Sequence, residues 1–244
     1  FRGVRYLFEN EDFLDLVDYF ITIDGVGTGW IIYKTQGSER FKVTFTGPGG
    51  HSYHNFGLPS ANHALGRVIS KISDFKVPKR PKTTFTVGRI GGGTSINAIS
   101  SFSWMEVDLR SESEVGLKKL ESRFKNTVEE ALLKENLRWS SRRKLKVNIE
   151  LLSERYPYAQ SKDSPVIKAT YYSMKALGLR PRFKEAASTD ANIPMTLGIP
   201  SIALGGGGKG KGGHSPNEWF NPKDSFKGVQ VLFLTLLSLV GIES

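Results

Sequence analysis

Hydrophobic positions along the chain change their spacing several times, and each change marks an element. Between residues 3 and 16, Val4, Leu7, Phe8 and Leu14 recur at helical intervals, with the polar triplet Asn10-Glu11-Asp12 weakening the middle. Residues 18–24 (DYFITID) alternate as a strand that stops at Asp24-Gly25. After a linker at 35–38, residues 41–46 alternate again and run into Gly47-Pro48-Gly49-Gly50-His51-Ser52. A helix is predicted from about Ser60, with Ala61, Ala64, Leu65, Val68, Ile69 and Ile72 on its apolar face. Residues 82–90 and 101–109 read as strands separated by a glycine-rich turn at 91–98; in the second, Phe102 and Trp104 alternate with Ser103 and Met105. A second amphipathic helix covers 114–133 and a fourth strand 145–152. The order over 41–153 is β-α-β-β-α-β, the ferredoxin-like split-βαβ pattern of a four-stranded antiparallel sheet with two helices on one face.

From residue 164 the pattern returns to α/β. A helix over 165–177 ends at Gly178, a C-cap glycine. A short strand near 182–184, a turn at 188–192, a buried strand at 200–204, a glycine loop and a packed helix at 229–242 complete the chain. The predicted fold class is α/β: an open-sheet body in two segments, 1–39 and 159–244, flanking an inserted α+β domain at 40–158.

Composition narrows the classes. Apolar content of 39% and charged content of 24% fit an ordinary globular protein. The net charge of +10 raises the question of nucleic acid. The densest basic run, 138–146 (RWSSRRKLK), lacks the interleaved aromatics of a single-strand platform, and no DNA-binding motif is present. A solvated basic face or an anionic small ligand is the simpler expectation. With no cysteine there are no disulfides, thiolate metal sites or cysteine nucleophiles. No apolar run reaches the ~18 residues of a membrane helix. Neither nucleic acid nor membrane is therefore an expected partner.

Candidate chemistry gathers at two places. Six of the eight residues over 205–212 are glycine, and the loop ends on His214, one of four histidines. Residues 205–211 match the first part of a P-loop, G-x-x-x-x-G-K, but Gly212 stands where Ser or Thr would hold Mg²⁺. A mobile surface loop and a metal or substrate loop are the other two readings. Asp24, at the last position of a strand and followed by glycine, is either a metal ligand or a turn initiator. Both residues belong to the same predicted body, at strand ends where open α/β sheets place their chemistry.

Five segments carry a resemblance: GPGGHS (47–52), GGGTSINAI (91–99), EVDLRS (106–111), STDAN (188–192) and GGHSPNEW (212–219). In their order and spacing they resemble the cocatalytic dizinc peptidases, the family of peptidase T, carboxypeptidase G, acetylornithine deacetylase and succinyl-diaminopimelate desuccinylase. Peptidase T-like members are the nearest. The resemblance implies a zinc-dependent exopeptidase acting on small peptides, with two Zn²⁺ per complete active site that activate the attacking water. It implies Asp24 as carboxylate ligand to one zinc and His214 as imidazole ligand to the other, donors that suit the metal. The inserted domain is implied to be the lid and dimerisation domain, giving a homodimer. His51 would stabilise the oxyanion in the partner's site, while Asn97 and Arg110 contact substrate. Ser188, Asp190, Gly206 and Gly207 would line the pocket. His54 and His63 match no family position and read as a loop and a helix-face residue. An amide deacylase acting on an N-acyl amino acid, or a non-catalytic dimerisation module, are the alternative functions.

The same resemblance implies groups that these 244 residues do not contain: a His-x-Asp pair, a bridging Asp and a Glu-Glu pair whose first member is the general base. Glu129-Glu130 lies in the second lid helix and reads as a solvated face. The expectation is a second half of a dizinc hydrolase, inactive by itself, binding zinc weakly or not at all, and cytoplasmic.

Overall fold

The computed structural model describes residues 2–9 and 11–241; Asn10, inside the predicted first helix, and Ile242, the end of the predicted last one, lie outside the described residues. Two short helices replace the single one predicted over 3–16: α1 (Arg2–Phe8) and α2 (Glu11–Leu14). The break falls at the polar stretch after Phe8, which is weak in helix propensity. Phe8 is buried, edge-on to Phe13 and Phe20.

β1 (Phe20–Ile23) forms as predicted, and β2 (Trp30–Ile32) was not predicted. The next segment is a ferredoxin-like domain. β3 (Gly37–Thr46) is followed by the two-residue β4 (Gly50–His51), α3 (Ala61–Ser73), β5 (Thr83–Gly92), β6 (Ala98–Ile99), β7 (Phe102–Ser111), α4 (Glu114–Leu137) and β8 (Lys146–Arg155). The remaining elements are α5 (Pro165–Ala176), β9 (Arg182–Phe183), α6 (Asn192–Thr196), β10 (Ser201–Leu204), β11 (Lys209–Lys211), β12 (Trp219–Asn221) and α7 (Phe226–Val240).

These elements form two compact units, one of Phe1–Gln36 with Pro157–Ser244 and one of Gly37–Tyr156. The first is built on a mixed sheet of order β1-β10-β2-β9, parallel at β1–β10 and β2–β9 and antiparallel at β10–β2. One cluster of buried side chains joins Ile31, Ile202 and Leu204 to Val166, Ile167 and Met174 of α5 and Val231 of α7. A second joins Trp30, Ile32 and Ala203 to Ala191 and Met195 of the α6 region. Burial on both faces explains why β2 and β10 are continuous apolar runs rather than alternating ones.

The second unit is a four-stranded antiparallel sheet of order β5-β7-β3-β8. Phe41, Val43 and Phe45 of β3 and Met105, Val107 and Leu109 of β7 point under α3 and α4, where they meet Val68, Ile72, Phe124 and Val128. The opposite face carries Arg40, Lys42, Trp104, Glu106 and Asp108, so the alternation is that of a sheet covered on one side. The predicted linker at 35–38 contains the boundary between the two units, at Gln36 and Gly37, but it is ordered: Thr35 and Ser38 are buried and β3 already begins at Gly37.

Candidate active-site residues

Each unit places some of the predicted residues together. In the first, Asp24 follows directly on β1 and its backbone N–H donates to the Leu204 carbonyl (2.8 Å), extending the parallel pairing with β10 by one residue. The loop after Asp24 then pairs with the glycine loop after β10. Gly206 N–H donates to Gly25 (3.0 Å), and Gly27 and Gly207 exchange N–H···O bonds at 2.9 and 3.0 Å. The structure thus brings Asp24, Gly206 and Gly207 together. These glycine N–H groups point to neighbouring carbonyls, so Gly206 and Gly207 can line a site only through their lack of side chains.

The loop is not mobile chain throughout. Residues 209–211 form β11 and pair antiparallel with β12, in the register Lys209↔Asn221 and Lys211↔Trp219. His214 lies in the exposed turn of this hairpin with φ 64°, a left-handed backbone uncommon for a side-chain-bearing residue. Its N–H donates to the Glu218 carboxylate at 3.2 Å, and Ser215 closes the turn onto the Gly212 carbonyl through both N–H and Oγ–H. Asp24 and His214 are both exposed. Among the described residues no group of three or more His, Cys, Asp or Glu is arranged to hold a metal ion. Asp24 and His214 fit zinc in donor type, but the residues present do not form a complete metal site.

Two residues near Asp24 escaped the sequence reading. Lys184 lies with its Nζ 3.8 Å from the Trp30 ring centre. Burial there pushes the Lys184 ammonium below its ordinary value, the charge of Arg182 adds to this, and the nearby Asp24 carboxylate opposes it. Trp30 itself is fixed by Nε1–H donation to the Val26 carbonyl at 3.0 Å. Nothing in the spacing signals this: Lys184 follows a two-residue strand, and its approach to Asp24 depends on the β2–β9 pairing. Ser188 and Asp190 lie exposed in the turn before α6, where Asn192 Oδ1 accepts the Thr189 N–H at 3.0 Å.

In the second unit, β4 and β6 form a small antiparallel ribbon with His51 opposite Ala98. Ser52 N–H donates to the Asn97 carbonyl at 2.8 Å, so His51 and Asn97, far apart in sequence, sit on adjacent strands. His51 Nδ1 accepts the Tyr53 N–H at 3.2 Å and, at 3.5 Å, that of His54. An accepting Nδ1 leaves the proton of the neutral ring on Nε2, an outward-facing donor. Asn97 Oδ1 accepts from Ser95 Oγ at 2.6 Å, which leaves its amide N–H₂ to donate. Arg110 is not part of this pair. It lies eight residues beyond Phe102 along β7, roughly 26 Å at ~3.3 Å per residue. Its Nε donates to Asp108 Oδ2 at 2.6 Å, and Arg40 Nε donates to Oδ1 of the same carboxylate at 2.8 Å. Against the opposing effect of burial, these two guanidinium groups hold the Asp108 carboxyl below its ordinary value. His63 lies on α3 and His54 in the turn after β4, in the unit that holds neither Asp24 nor His214.

Comparison with known proteins places this geometry. Residues 33–136 match the family described as Peptidase dimerisation domain, M20 type. None of the curated proteins matches the sequence. The crystal structure of aminopeptidase PepT from Bacillus cereus ATCC 10987 superposes with a TM-score of 0.78 at 16% identity, over 97% of this chain and 61% of that one. A tripeptidase from Staphylococcus aureus gives 0.74 at 22% identity, over 98% and 60%. An amidase of the hydantoinase/carbamoylase family from Burkholderia vietnamiensis gives 0.68 at 20%, over 90% and 53%. The chain thus spans about three-fifths of the length of the two peptidases. Residues 33–136 thus match a peptidase dimerisation domain, and the chain that carries them has the fold of the aminopeptidase and tripeptidase structures over nearly its whole length.

Proposed function

We propose that this chain is part of a zinc-dependent exopeptidase that hydrolyses small peptides and works as a homodimer through residues 33–136. The observation that carries the reading is the dimerisation-domain match within a fold that follows a peptidase over 97% of the chain. Asp24 and His214 are proposed as donors, one to each of two zinc ions. The set is completed by residues other than these 244. His51 supplies a neutral Nε2–H donor to the oxyanion of a partner subunit's substrate, which its Nδ1 acceptor contacts support. The Asn97 amide is a second donor on the same ribbon. Arg110, oriented by Asp108, would grip a substrate carboxylate through the guanidinium edge that Asp108 leaves open. Ser188, Asp190, Gly206 and Gly207 line the pocket, the glycines by leaving room. A cytoplasmic location belongs to the same reading, and no described helix is long and apolar enough to cross a membrane.

A second reading, hydrolysis of a non-peptide amide such as an N-acyl amino acid, is favoured by the likeness to the amidase fold. Zinc content and turnover of a tripeptide and N-acyl amino acid panel, measured on the full-length product and on the 244-residue chain side by side, decide between them. The expectation is metal-dependent tripeptide hydrolysis by the full-length protein only, lost on Asp24→Asn or His214→Ala. A full-length protein that binds zinc yet turns over no peptide would refute the peptidase reading.

A further inference from the structure

The net charge of +10 is almost entirely a property of one unit. Residues 37–156 carry 21 lysines and arginines against 12 aspartates and glutamates, nine of the ten net charges. Part of this charge lines a groove between α3 and α4 with a volume of about 540 Å³. Arg67 and Lys71 stand on the α3 wall and Lys134 and Arg138 on the α4 wall, with Asn62 and Ser70 as neutral donors. Arg138 continues into the basic run 138–146 that the peptidase reading leaves unused.

The groove is built as well as charged. Glu135, whose side chain is 0% exposed, lies beneath it and accepts Arg67 Nε at 3.2 Å. That bond fixes the guanidinium while leaving its other N–H groups. His63 Nδ1 is 3.6 Å from the same carboxylate. Arg138 stacks on Trp139, 4.5 Å from the ring centre, which holds the second guanidinium with its N–H edges uncovered. Lys71 is paired with Glu130. Two oriented guanidinium groups facing each other across a groove match the oxygen geometry of phosphate better than that of a lone carboxylate. The volume suits one small ligand rather than a polymer track.

We infer that the α3–α4 groove is a binding site for a small phosphorylated anion. Isothermal titration of pyrophosphate into the full chain, at low and at physiological salt, tests it. One saturable site per chain is expected. The exposed pair Lys134→Gln/Arg138→Gln should weaken it by about tenfold or more, the loss of one charge-assisted hydrogen bond. Lys79→Gln/Lys119→Gln removes the same charge from other exposed positions of the unit and should change affinity by less than about twofold. Adenosine monophosphate run alongside separates the sources: tighter binding than pyrophosphate assigns a nucleotide, weaker binding a free polyphosphate, and either supports the site. Absence of saturable binding, or equal weakening by both double variants, overturns it. So does a single-stranded oligonucleotide that binds and is not displaced by pyrophosphate.

Discussion

Glu135→Ala is expected to destabilise the Gly37–Tyr156 unit by about 2–4 kcal/mol, and the structure says why. The carboxylate is fully buried, yet it comes from α4 and serves α3. Its Oε1 accepts the backbone N–H of Ser60, the N-cap of α3, at 3.2 Å, and Ser60 makes no side-chain cap of its own. The charge therefore sits at the positive end of the α3 dipole. Its Oε2 accepts Arg67 Nε at 3.2 Å. Truncation leaves the buried Ser60 N–H without its acceptor, about 1–3 kcal/mol, and opens a cavity where the side chain stood, about 1–2 kcal/mol. Arg67, 38% exposed, recovers part of its loss in water, and removal of a buried charge gives some back. Glu135→Gln keeps the shape and an acceptor and should cost about half as much. Urea unfolding followed through Trp139, which lies near the C-terminus of α4, measures both. A loss below about 0.5 kcal/mol for Glu135→Ala would refute the trans-capping role.

Three further outcomes follow from other contacts. Glu39 is 1% exposed, and burial raises its carboxyl above the ordinary value despite the Lys118 hydrogen bond at 3.1 Å. A raised pKa contributes stability that is complete below the unfolded value and is lost as pH rises through the folded one. Lys118→Met should therefore cost more at about pH 8 than at about pH 4.5, seen in urea midpoints at the two values; a pH-independent loss would contradict this. His214→Gly should leave stability unchanged or raise it by up to about 1 kcal/mol, because glycine accepts the positive φ, while zinc content of the full-length protein falls; a drop in thermal midpoint would count against it. Gly207→Ala should destabilise by more than about 1 kcal/mol, since φ is 94° and a Cβ would run into the Ser225 backbone, with a near-native midpoint as the contrary result.

Apart from β10, read as a buried strand from its apolar run, the elements visible in the sequence are mostly those whose burial is one-sided. Phe41, Val43 and Phe45 alternate because one face of β3 meets helices and the other does not. β2 escaped for the opposite reason: Trp30, Ile31 and Ile32 are buried on both faces, and three residues without alternation carry no period. The β11–β12 hairpin escaped because Lys-Gly-Lys and Trp-Phe-Asn have no buried face to pattern; backbone pairing alone makes it a ribbon. α6 lay hidden beside the predicted turn at 188–192, being five residues with a proline inside. At the site, Asp24 was visible as a strand-end carboxylate, whereas the His51 tautomer depends on N–H groups of Tyr53 and His54 that no residue type announces.

The glycine loop shows how one composition can support opposite conclusions. Read as a string, 205–212 suggests the freedom of a mobile surface loop. In the fold the glycines serve close approach. A Cβ on Gly205 would meet the Trp30 indole at 2.8 Å, one on Gly228 of α7 would meet the peptide group joining Gly206 and Gly207 at 2.5–2.7 Å, and one on Gly208 would meet the Phe220 ring at 2.5 Å. The loop is held between the turn after Asp24 on one side and the first turn of α7 on the other, with its N–H groups bonded to Gly25 and Gly27. Side chains at 206 or 207 would push these segments apart and carry Asp24 with them, because Asp24 is tied to Leu204 by one backbone bond. Rigidity of the strand ends, rather than mobility of the loop, is therefore what the glycines secure. The metal role proposed for the Asp24 carboxylate would need that rigidity from its scaffold.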